Sequence, residues 1–439
     1  MTGIAAGLTG FGVLLGLMAL RVPIGVAMLA VGIGGYGMVS GWMPLTAFMK
    51  TSMFYQYSTY SLSVIPLFVL MGEFATRAGM SAALFRTAAA FLGHRRGGLA
   101  MASIGGCAAF GAICGSSLAT AATMGQVALP EMRRYNYSGA LATGSLAAGG
   151  TLGILIPPSV ILVLYALMAE QNIAQMFVAA MVPGVLAAAG YMLAVALYVQ
   201  RHPDEGPAGP RTGWRGRLSA LRETWSIIVI FAVVVVGMYR GWFTPTEAAA
   251  IGAFGAGVLA VLHGHMRLAG LMACLRGTAM TSGMIFLILF GAETFNAFLA
   301  QTRTPMLAAD MISDAGLSPM LVLGAILLLY LVLGCVMDSM SMLLLTIPIF
   351  YPIIAGLDFG LSRDETLIWF GILSVVVVEV GLITPPVGMN VFVINGIARD
   401  VPMIESFRGV LPFLISDIVR IALLIAFPAV SLGLVRLLG

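Results

Sequence analysis

The sequence predicts an all-α polytopic membrane protein made of two inverted repeats, each with a re-entrant helical hairpin and a broken helix. Three observations support this fold class: a very apolar composition, motifs that recur in both halves, and double prolines inside long apolar runs. Of the 439 residues, 60% are hydrophobic and 9% are charged, whereas soluble domains carry roughly 25% charged residues. Several apolar runs approach the ~20 residues that a helix needs to cross a bilayer.

The chain repeats itself around a hydrophilic centre. Residues 201–223, rich in Pro, Gly and Arg, predict a linker between a first repeat (1–200) and a second repeat (224–439). Motifs recur across this linker in the same order, at offsets of 219 to 228. The matches are Pro23 with Pro245, Leu70-Met71-Gly72 with Leu289-Phe290-Gly291, Ser117 with Ser339, Pro130 with Pro352, and Pro157-Pro158 with Pro385-Pro386.

Each repeat is predicted to hold one hairpin and one broken helix. The hairpins are expected at 98–130 and 319–355, and the broken helices at 138–168 and 366–396. Five crossings in the first half are an odd number, so the second half has to be inverted in the membrane.

Basic residues give the orientation. With the N-terminus outside, sixteen of the 22 Lys and Arg residues fall on the cytoplasmic side, including those of the linker, and five fall outside. This bias agrees with the positive-inside rule. The first hairpin is then predicted to open to the cytoplasm and the second to the periplasm.

The double prolines mark the expected site. Pro removes a backbone donor and clashes with the preceding turn, and in lipid such breaks are tolerated only beside protein or a water-filled cavity. A break frees carbonyl oxygens for a cation and leaves a helix N-terminus that suits an anion. A kink that serves packing alone is the alternative, but a double Pro at matching positions in both halves favours function.

Polar residues at the hairpin tips complete each predicted site. They are Ser116, Ser117 and Thr120 in the first hairpin, and Asp338, Ser339 and Ser341 in the second. Hydroxyl and carboxylate oxygens are hard ligands suited to Na⁺. Hydroxyls in membrane helices also pack closely or bond to their own backbone, so only Asp338, a carboxylate within an apolar run, is functional by default.

Other ionisable residues in apolar runs are less informative. Glu73 and Glu293 recur in the two halves, and either capping, pairing or a substrate role is open to them. Glu379 precedes the second double proline and has a structural or site-supporting role open to it. Asp417 and Arg420, three residues apart on a helix, are predicted to pair with each other.

Five segments together resemble the large membrane subunit of TRAP transporters (tripartite ATP-independent periplasmic transporters). They are GSSLATAATMG, GILIPPS, FTPTEAAAIGAFGA, DSMSMLLLTIPIFYPI and GLITPPVGMN. The resemblance covers nearly the whole chain. Cys114 departs from it, because a small hydroxylated residue is expected before the GSS sequence.

The resemblance implies an elevator-type fold in the bacterial inner membrane and import driven by Na⁺. The first implied ion site falls on Ser116, Ser117 and the break from Gly153 to Pro157, beside Thr120 of the same hairpin tip. The second falls on Asp338, Ser339 and the break from Gly381 through Thr384 to Pro385, beside Ser341 of the second tip. Candidates for contact with the substrate, which would lie between these sites, are Ser116, Ser159 and Asn390.

The resemblance also implies two protein partners, a small four-helix membrane subunit and a periplasmic substrate-binding protein that selects the solute, typically an organic acid. A standalone ion-coupled organic-anion transporter of the same fold is the alternative. An enzyme is not expected, since no HExxH, Walker motif or nucleophile–base pair occurs in the sequence. Nothing in the sequence supports nucleic-acid binding.

Overall fold

The computed structural model describes residues 3–264, 266–314 and 316–438, and across them every regular element is a helix. Up to Arg201 the helices are α1 (Gly3–Ala19), α2 (Ile24–Ser40), α3 (Trp42–Ser58), α4 (Val64–Arg77), α5 (Met80–Leu92), α6 (Gly98–Cys114), α7 (Ser117–Arg134), α8 (Gly139–Leu155), α9 (Val160–Met168) and α10 (Ile173–Arg201). From Trp214 they are α11 (Trp214–Tyr239), α12 (Pro245–Leu262), α13 (Leu268–Gln301), α14 (Thr304–Asp314), α15 (Pro319–Gly334), α16 (Ser339–Ala355), α17 (Arg363–Ile383), α18 (Met389–Ile397), α19 (Met403–Ala426) and α20 (Ala429–Leu438).

Several helices begin at residues that the sequence marks as caps. In the TPTE segment the Thr244 hydroxyl accepts the N–H of Glu247, and the Glu247 carboxylate accepts the N–H of Thr244 at 2.8 Å. Ser362 and Glu365 form the same capping box at the start of α17. These reciprocal bonds satisfy backbone donors that a helix start otherwise leaves free.

Within the described ranges, six helices are long and apolar enough to cross a membrane, and the number of spans rises to as many as eight if each of two bent helix pairs is one span. One bent pair is α8 with α9, which meet at 43° across the first double proline. The other is α3 with the segment Tyr60–Arg77, bent by 59°. The predicted all-α, polytopic fold class is confirmed.

Helix contacts follow a twofold pattern. Helix α13 packs on α2 as α12 packs on α4, and α11 packs on α5 as α1 packs on α14. If each helix is exchanged for its counterpart in the other half, the contact of α7 with α18 becomes that of α16 with α9. The contacts of α8 with α17 and of α10 with α19 join helices that are counterparts of each other. Such a set of contacts is what two related halves produce when they face each other across an axis.

The hydrophilic centre is more ordered than its composition indicates. Helix α11 begins at Trp214, inside the stretch predicted as a linker, and only residues 202–213 lie outside the long helices. Arg86 of α5 pairs with Glu223 at 2.9 Å, and Arg217 donates to the carbonyl of Ala90 at 3.3 Å. The segment therefore folds against α5, although its division of the chain into two domains stays a prediction.

Candidate ion and substrate site

The first junction joins the tip of the α6–α7 hairpin to the end of α8. The Cα of Gly153 lies in the space that a side chain on Gly111 would need. A Cβ added to Gly153 itself would lie 2.6 Å from Oγ1 of Thr120 and 2.8 Å from the carbonyl oxygen of Ser116. Only glycine allows this approach, and it brings the predicted residues of both segments together.

The oxygen atoms at this junction are only partly satisfied. Thr120 is fully buried, and its Oγ1 has no hydrogen-bond partner within the described parts of the chain. The Ser116 hydroxyl caps α7 by accepting the N–H of Ala119 at 3.4 Å, while Ser117 is buried. A buried hydroxyl without a partner is rare and costs roughly 1–3 kcal/mol. A cation bound here would use that free oxygen.

The second junction has the same plan. The end of α15 meets α17, so that a Cβ added to Gly381 would lie 2.6 Å from the carbonyl carbon of Gly334 and 3.0 Å from its oxygen. Asp338 is the N-cap of α16, and its Oδ2 accepts the N–H of Ser341 at 3.0 Å. Ser339 and Ser341 are buried, whereas Asp338 is partly exposed.

A double-proline break follows the helix that enters each junction. Pro157 is buried between α8 and α9, whereas Pro385 is exposed between α17 and α18. The Thr384 hydroxyl donates to the carbonyl of Val380 at 2.6 Å, which still leaves its lone pairs available. Both prolines precede a cis peptide bond to the next proline.

Ser159 and Asn390 occupy the first turns after the two breaks. The Ser159 hydroxyl is buried and donates to the carbonyl of Ile154 at 2.6 Å. Asn390 is also buried; its Nδ2 donates to the carbonyl of Ala147 at 3.1 Å, and its Oδ1 has no partner among the described residues. Because Ala147 belongs to α8, this hydrogen bond links the second broken helix (α17 and α18) to the first (α8 and α9).

A sequence model of the family described as "Tripartite ATP-independent periplasmic transporter, DctM component" matches residues 11–430. The chain belongs to this family. Its relatives include the C4-dicarboxylate TRAP transporter large permease protein DctM of Pseudomonas aeruginosa, 36% identical over 87% of both chains. The protein of the same description from Rhodobacter capsulatus is 32% identical over 98% of both.

The fold also matches a solved structure. The YdaH transporter of Alcanivorax borkumensis superposes with a TM-score of 0.62 over 90% of both chains, at 14% sequence identity. As a DctM-family member, the chain is a multi-pass inner-membrane permease subunit, and the prediction that it is not an enzyme is confirmed.

Behind the junctions lies a buried chain of hydrogen bonds and ion pairs that the sequence analysis did not predict as a whole. Oγ1 of Thr151 lies 3.3 Å from the Tyr191 hydroxyl, which donates to Asp417 at 2.8 Å. Nη2 of Arg420 lies 2.8 Å from Asp417 and 3.1 Å from Glu379. The predicted pairing of Asp417 with Arg420 is confirmed, and it is one link of a longer chain.

The ends of this polar chain are equivalent positions of the repeat. Thr151 stands two residues before Gly153 and Glu379 two residues before Gly381, so the chain joins the two broken helices just behind the junctions. The signal in the sequence was the offset of 228 between Thr151 and Glu379, the same as between the double prolines.

Glu73 and Glu293, the acidic residues that recur in the two halves, lie on α4 and α13. A Cβ added to Gly277 of α13 would lie 2.9 Å from Oε1 of the partly buried Glu73. Glu293 lines a cavity of about 270 Å³ together with Glu170, Asn296 and other residues. The open roles of Glu73 and Glu293 stay open.

Proposed function

We propose that the chain is the Na⁺-coupled membrane subunit of an importer, taking an organic acid from a periplasmic binding protein and carrying it inward by an elevator motion. The proposed partners are that binding protein and a small four-helix membrane subunit. Family membership supplies the class of permease. The paired junctions supply the main support for ion coupling, because each combines a glycine–glycine contact with hydroxyl or carboxylate oxygens.

We assign one Na⁺ to each junction. At the first, Thr120, Ser116 and Ser117 offer hard oxygens, and the free Oγ1 of Thr120 is the observation that carries the assignment. At the second, Asp338 offers a carboxylate, with Ser339, Ser341 and Thr384 nearby in sequence or across the junction. A bound cation would hold each hairpin tip against its broken helix by neutralising the oxygens between them.

The negative charge of an organic acid fits the two half-helices that follow the breaks. Helix α9 starts at Val160 and α18 starts at Met389, and neither has a side-chain cap on its first N–H groups. Uncapped N-termini carry the positive end of the helix dipole and bind carboxylates. Ser116, Ser159 and Asn390 are the side chains that we assign to the substrate.

The elevator motion is proposed from how the helices group. Helices α2 and α13 pack together, as do α4 and α12, whereas α8 packs on α6, α7 and α19. Helix α17 joins the second group by packing on α8, α15, α16 and α18, so this group contains both hairpins and both broken helices. We assign the first group to a scaffold and the second to the moving part.

The test is uptake of radiolabelled succinate, a C4-dicarboxylate, into proteoliposomes that contain both membrane subunits and the binding protein encoded with them. Uptake should require an inward Na⁺ gradient and should stop when K⁺ replaces Na⁺. Unchanged uptake in K⁺ would exclude Na⁺ coupling. If no uptake occurs in either salt, other carboxylates that stabilise the binding protein against thermal unfolding replace succinate in the same comparison.

A matched pair of variants tests the first ion site. Thr120→Val removes the free hydroxyl and should raise the Na⁺ concentration needed for half-maximal uptake by about tenfold or more. Thr143→Val is the control, because Thr143 is equally buried but its hydroxyl already donates to the carbonyl of Gly139 at 2.7 Å. Equal Na⁺ dependence of the two variants would refute the assignment of Thr120.

Omitting components separates the tripartite importer from the standalone transporter. The large subunit alone is expected to transport nothing measurable at micromolar solute. Robust Na⁺-driven uptake by this chain alone would instead favour the standalone organic-anion transporter of the same fold.

A further inference from the structure

A groove of about 590 Å³ runs between α10 and α19 on the surface of the molecule. Its walls are mainly aliphatic side chains. They include Leu186, Leu193 and Leu197 of α10, and Leu411, Ile415 and Val419 of α19. These six side chains are all exposed, from 38% for Leu186 to 64% for Ile415. The groove is therefore open along its length toward the lipid.

One end of the groove is basic. Arg201 ends α10, Arg408 lies in the second turn of α19, and both are exposed and line the groove with His202. In the described residues, no carboxylate lies within 4.0 Å of either arginine, while Glu205 approaches His202 at 4.0 Å and accepts the Tyr198 hydroxyl. Two positive charges at this end thus have no counter-ion within the part of the chain that the structure describes.

The deep end of the groove differs. Arg420 lines it, but this guanidinium is buried and is held by Asp417 and Glu379. At the deep end the charge of Arg420 is therefore already paired, unlike the charges of Arg201 and Arg408 at the basic end.

A second groove of about 580 Å³, between α1 and α2, provides an internal comparison. Gly10, Gly34, Gly35 and Ala30 line part of it, and among the residues that the structure describes no charged one lines it. Small residues let a neighbouring membrane helix approach closely, whereas a wall of exposed leucines does not. Of the two, the α1–α2 groove suits a helix and the α10–α19 groove suits a flexible acyl chain.

We propose that the α10–α19 groove binds an anionic phospholipid of the cytoplasmic leaflet, with its phosphate between Arg201 and Arg408 and one acyl chain along the leucines. The predicted topology places these arginines at the cytoplasmic surface, where anionic lipids meet basic residues. The α10 segment from Leu186 to Arg201 is about 22 Å long at 1.5 Å per residue. That length exceeds the ~15 Å depth of one leaflet's hydrocarbon, so an acyl chain fits within it.

The test is native mass spectrometry of the full chain titrated with phosphatidylglycerol or with phosphatidylcholine of the same acyl chains. Phosphatidylglycerol should bind more tightly. Arg201→Gln combined with Arg408→Gln should weaken its binding by about 30-fold, since each basic residue near the surface contributes about a factor of five. Arg95→Gln with Arg96→Gln is the matched control, because that exposed pair of arginines lies outside the groove. This double variant should bind phosphatidylglycerol as tightly as the unaltered chain does.

A second variant tests the groove itself without changing charge. Ala194 lies in the groove wall, and Ala194→Phe should obstruct the acyl chain and lower the affinity for phosphatidylglycerol while both arginines remain. Equal affinity for the two lipids, or equal losses in the two arginine pairs, would overturn the proposal. Cross-linking of an Ala194→Cys variant to the small membrane subunit in the assembled complex would also overturn it, because that result would assign the groove to a protein.

Discussion

The two junctions share one plan but differ in how they are covered. Around the first break Pro157, Pro158 and Ser159 are all buried, and the hairpin tip at Gly115 packs against the backbone of the break. At the second break Pro385 and Pro386 are exposed. The same sequence element, used twice, thus gives one sealed and one open junction.

Two aligned positions explain the difference. Ser159, whose hydroxyl closes the first break by donating to Ile154, is replaced by Val387 at the equivalent position of the second. Ile156 packs toward α10, where a Cβ added to Gly184 would lie 2.9 Å from its side chain, and its counterpart is Thr384. The first break is therefore satisfied internally, while the second keeps polar groups at the surface.

The polar chain from Thr151 to Glu379 connects the sealed junction to the open one. Two carboxylates share one guanidinium in this chain, and all three residues are buried. Removing one partner of a buried ion pair costs more than the pair itself contributes, because the remaining charge is left without a partner. The connection between the junctions should therefore depend most strongly on Arg420.

The largest expected effect follows from Arg420→Gln. It leaves Glu379 and Asp417 buried without a positive charge and should lower the free energy of unfolding by about 3–5 kcal/mol. Glu379→Gln is the control: the pair of Arg420 with Asp417 remains, so the loss should be below about 1.5 kcal/mol. Thermal unfolding in detergent measures both variants. Equal losses would show that Arg420 does not hold the two carboxylates together.

Much of this plan was visible in the sequence, for physical reasons. Proline cannot donate a backbone hydrogen bond, so the double prolines marked both breaks, and the three-residue spacing marked the pair of Asp417 with Arg420. The participation of Tyr191 was not predictable, because hydroxyls and carboxylates far apart in sequence meet only through helix packing. Composition also did not reveal that residues 214–223, although rich in arginine, form the first turns of α11.

Glycine substitutions should separate the sealed junction from the open one. A Cβ on Gly153 or on Gly381 would meet atoms at 2.6 Å, and such overpacking costs about 1–3 kcal/mol. Gly381→Ala should fall at the upper end of that range, because Gly381 is buried and its Cβ would meet only backbone atoms of Gly334. Gly153→Ala should fall lower, because the atom nearest its Cβ is the side-chain Oγ1 of Thr120.

The control for both substitutions is Gly324→Ala in α15, where an added Cβ meets nothing within 4 Å. This change should leave the thermal midpoint unchanged or raise it slightly, since alanine restricts the unfolded chain. A larger loss from Gly153→Ala than from Gly381→Ala would contradict this order of the two junctions.

Asp338→Asn tests charge at the open junction while keeping the helix cap, because Asn accepts the same N–H of Ser341. The thermal midpoint should stay nearly constant, whereas the Na⁺-dependent rate of uptake should fall at least about tenfold. Asp358→Asn is the matched control: Asp358 also accepts a backbone N–H, from Gly360 at 2.8 Å, but lies in the loop before α17. If both variants keep full uptake, Asp338 is a cap and no more.

A single cysteine placed in each break is the smallest perturbation, and its rate of chemical modification measures how exposed that break is. The four native cysteines are buried and can be replaced by alanine to give a silent background. Ile156→Cys and Thr384→Cys then place thiols at equivalent positions of the repeat. A water-soluble thiol reagent should modify Thr384→Cys several-fold faster than Ile156→Cys, because access limits the reaction of thiols of similar acidity.

Na⁺ should slow the modification of Thr384→Cys, since an ion there would draw the α15–α16 tip onto the break. The rate of modification of Ile156→Cys should not change with Na⁺. Equal rates at both positions without Na⁺ would mean that the two junctions exchange between sealed and open states faster than the reagent reacts, and the asymmetry would then describe one of two interconverting conformations.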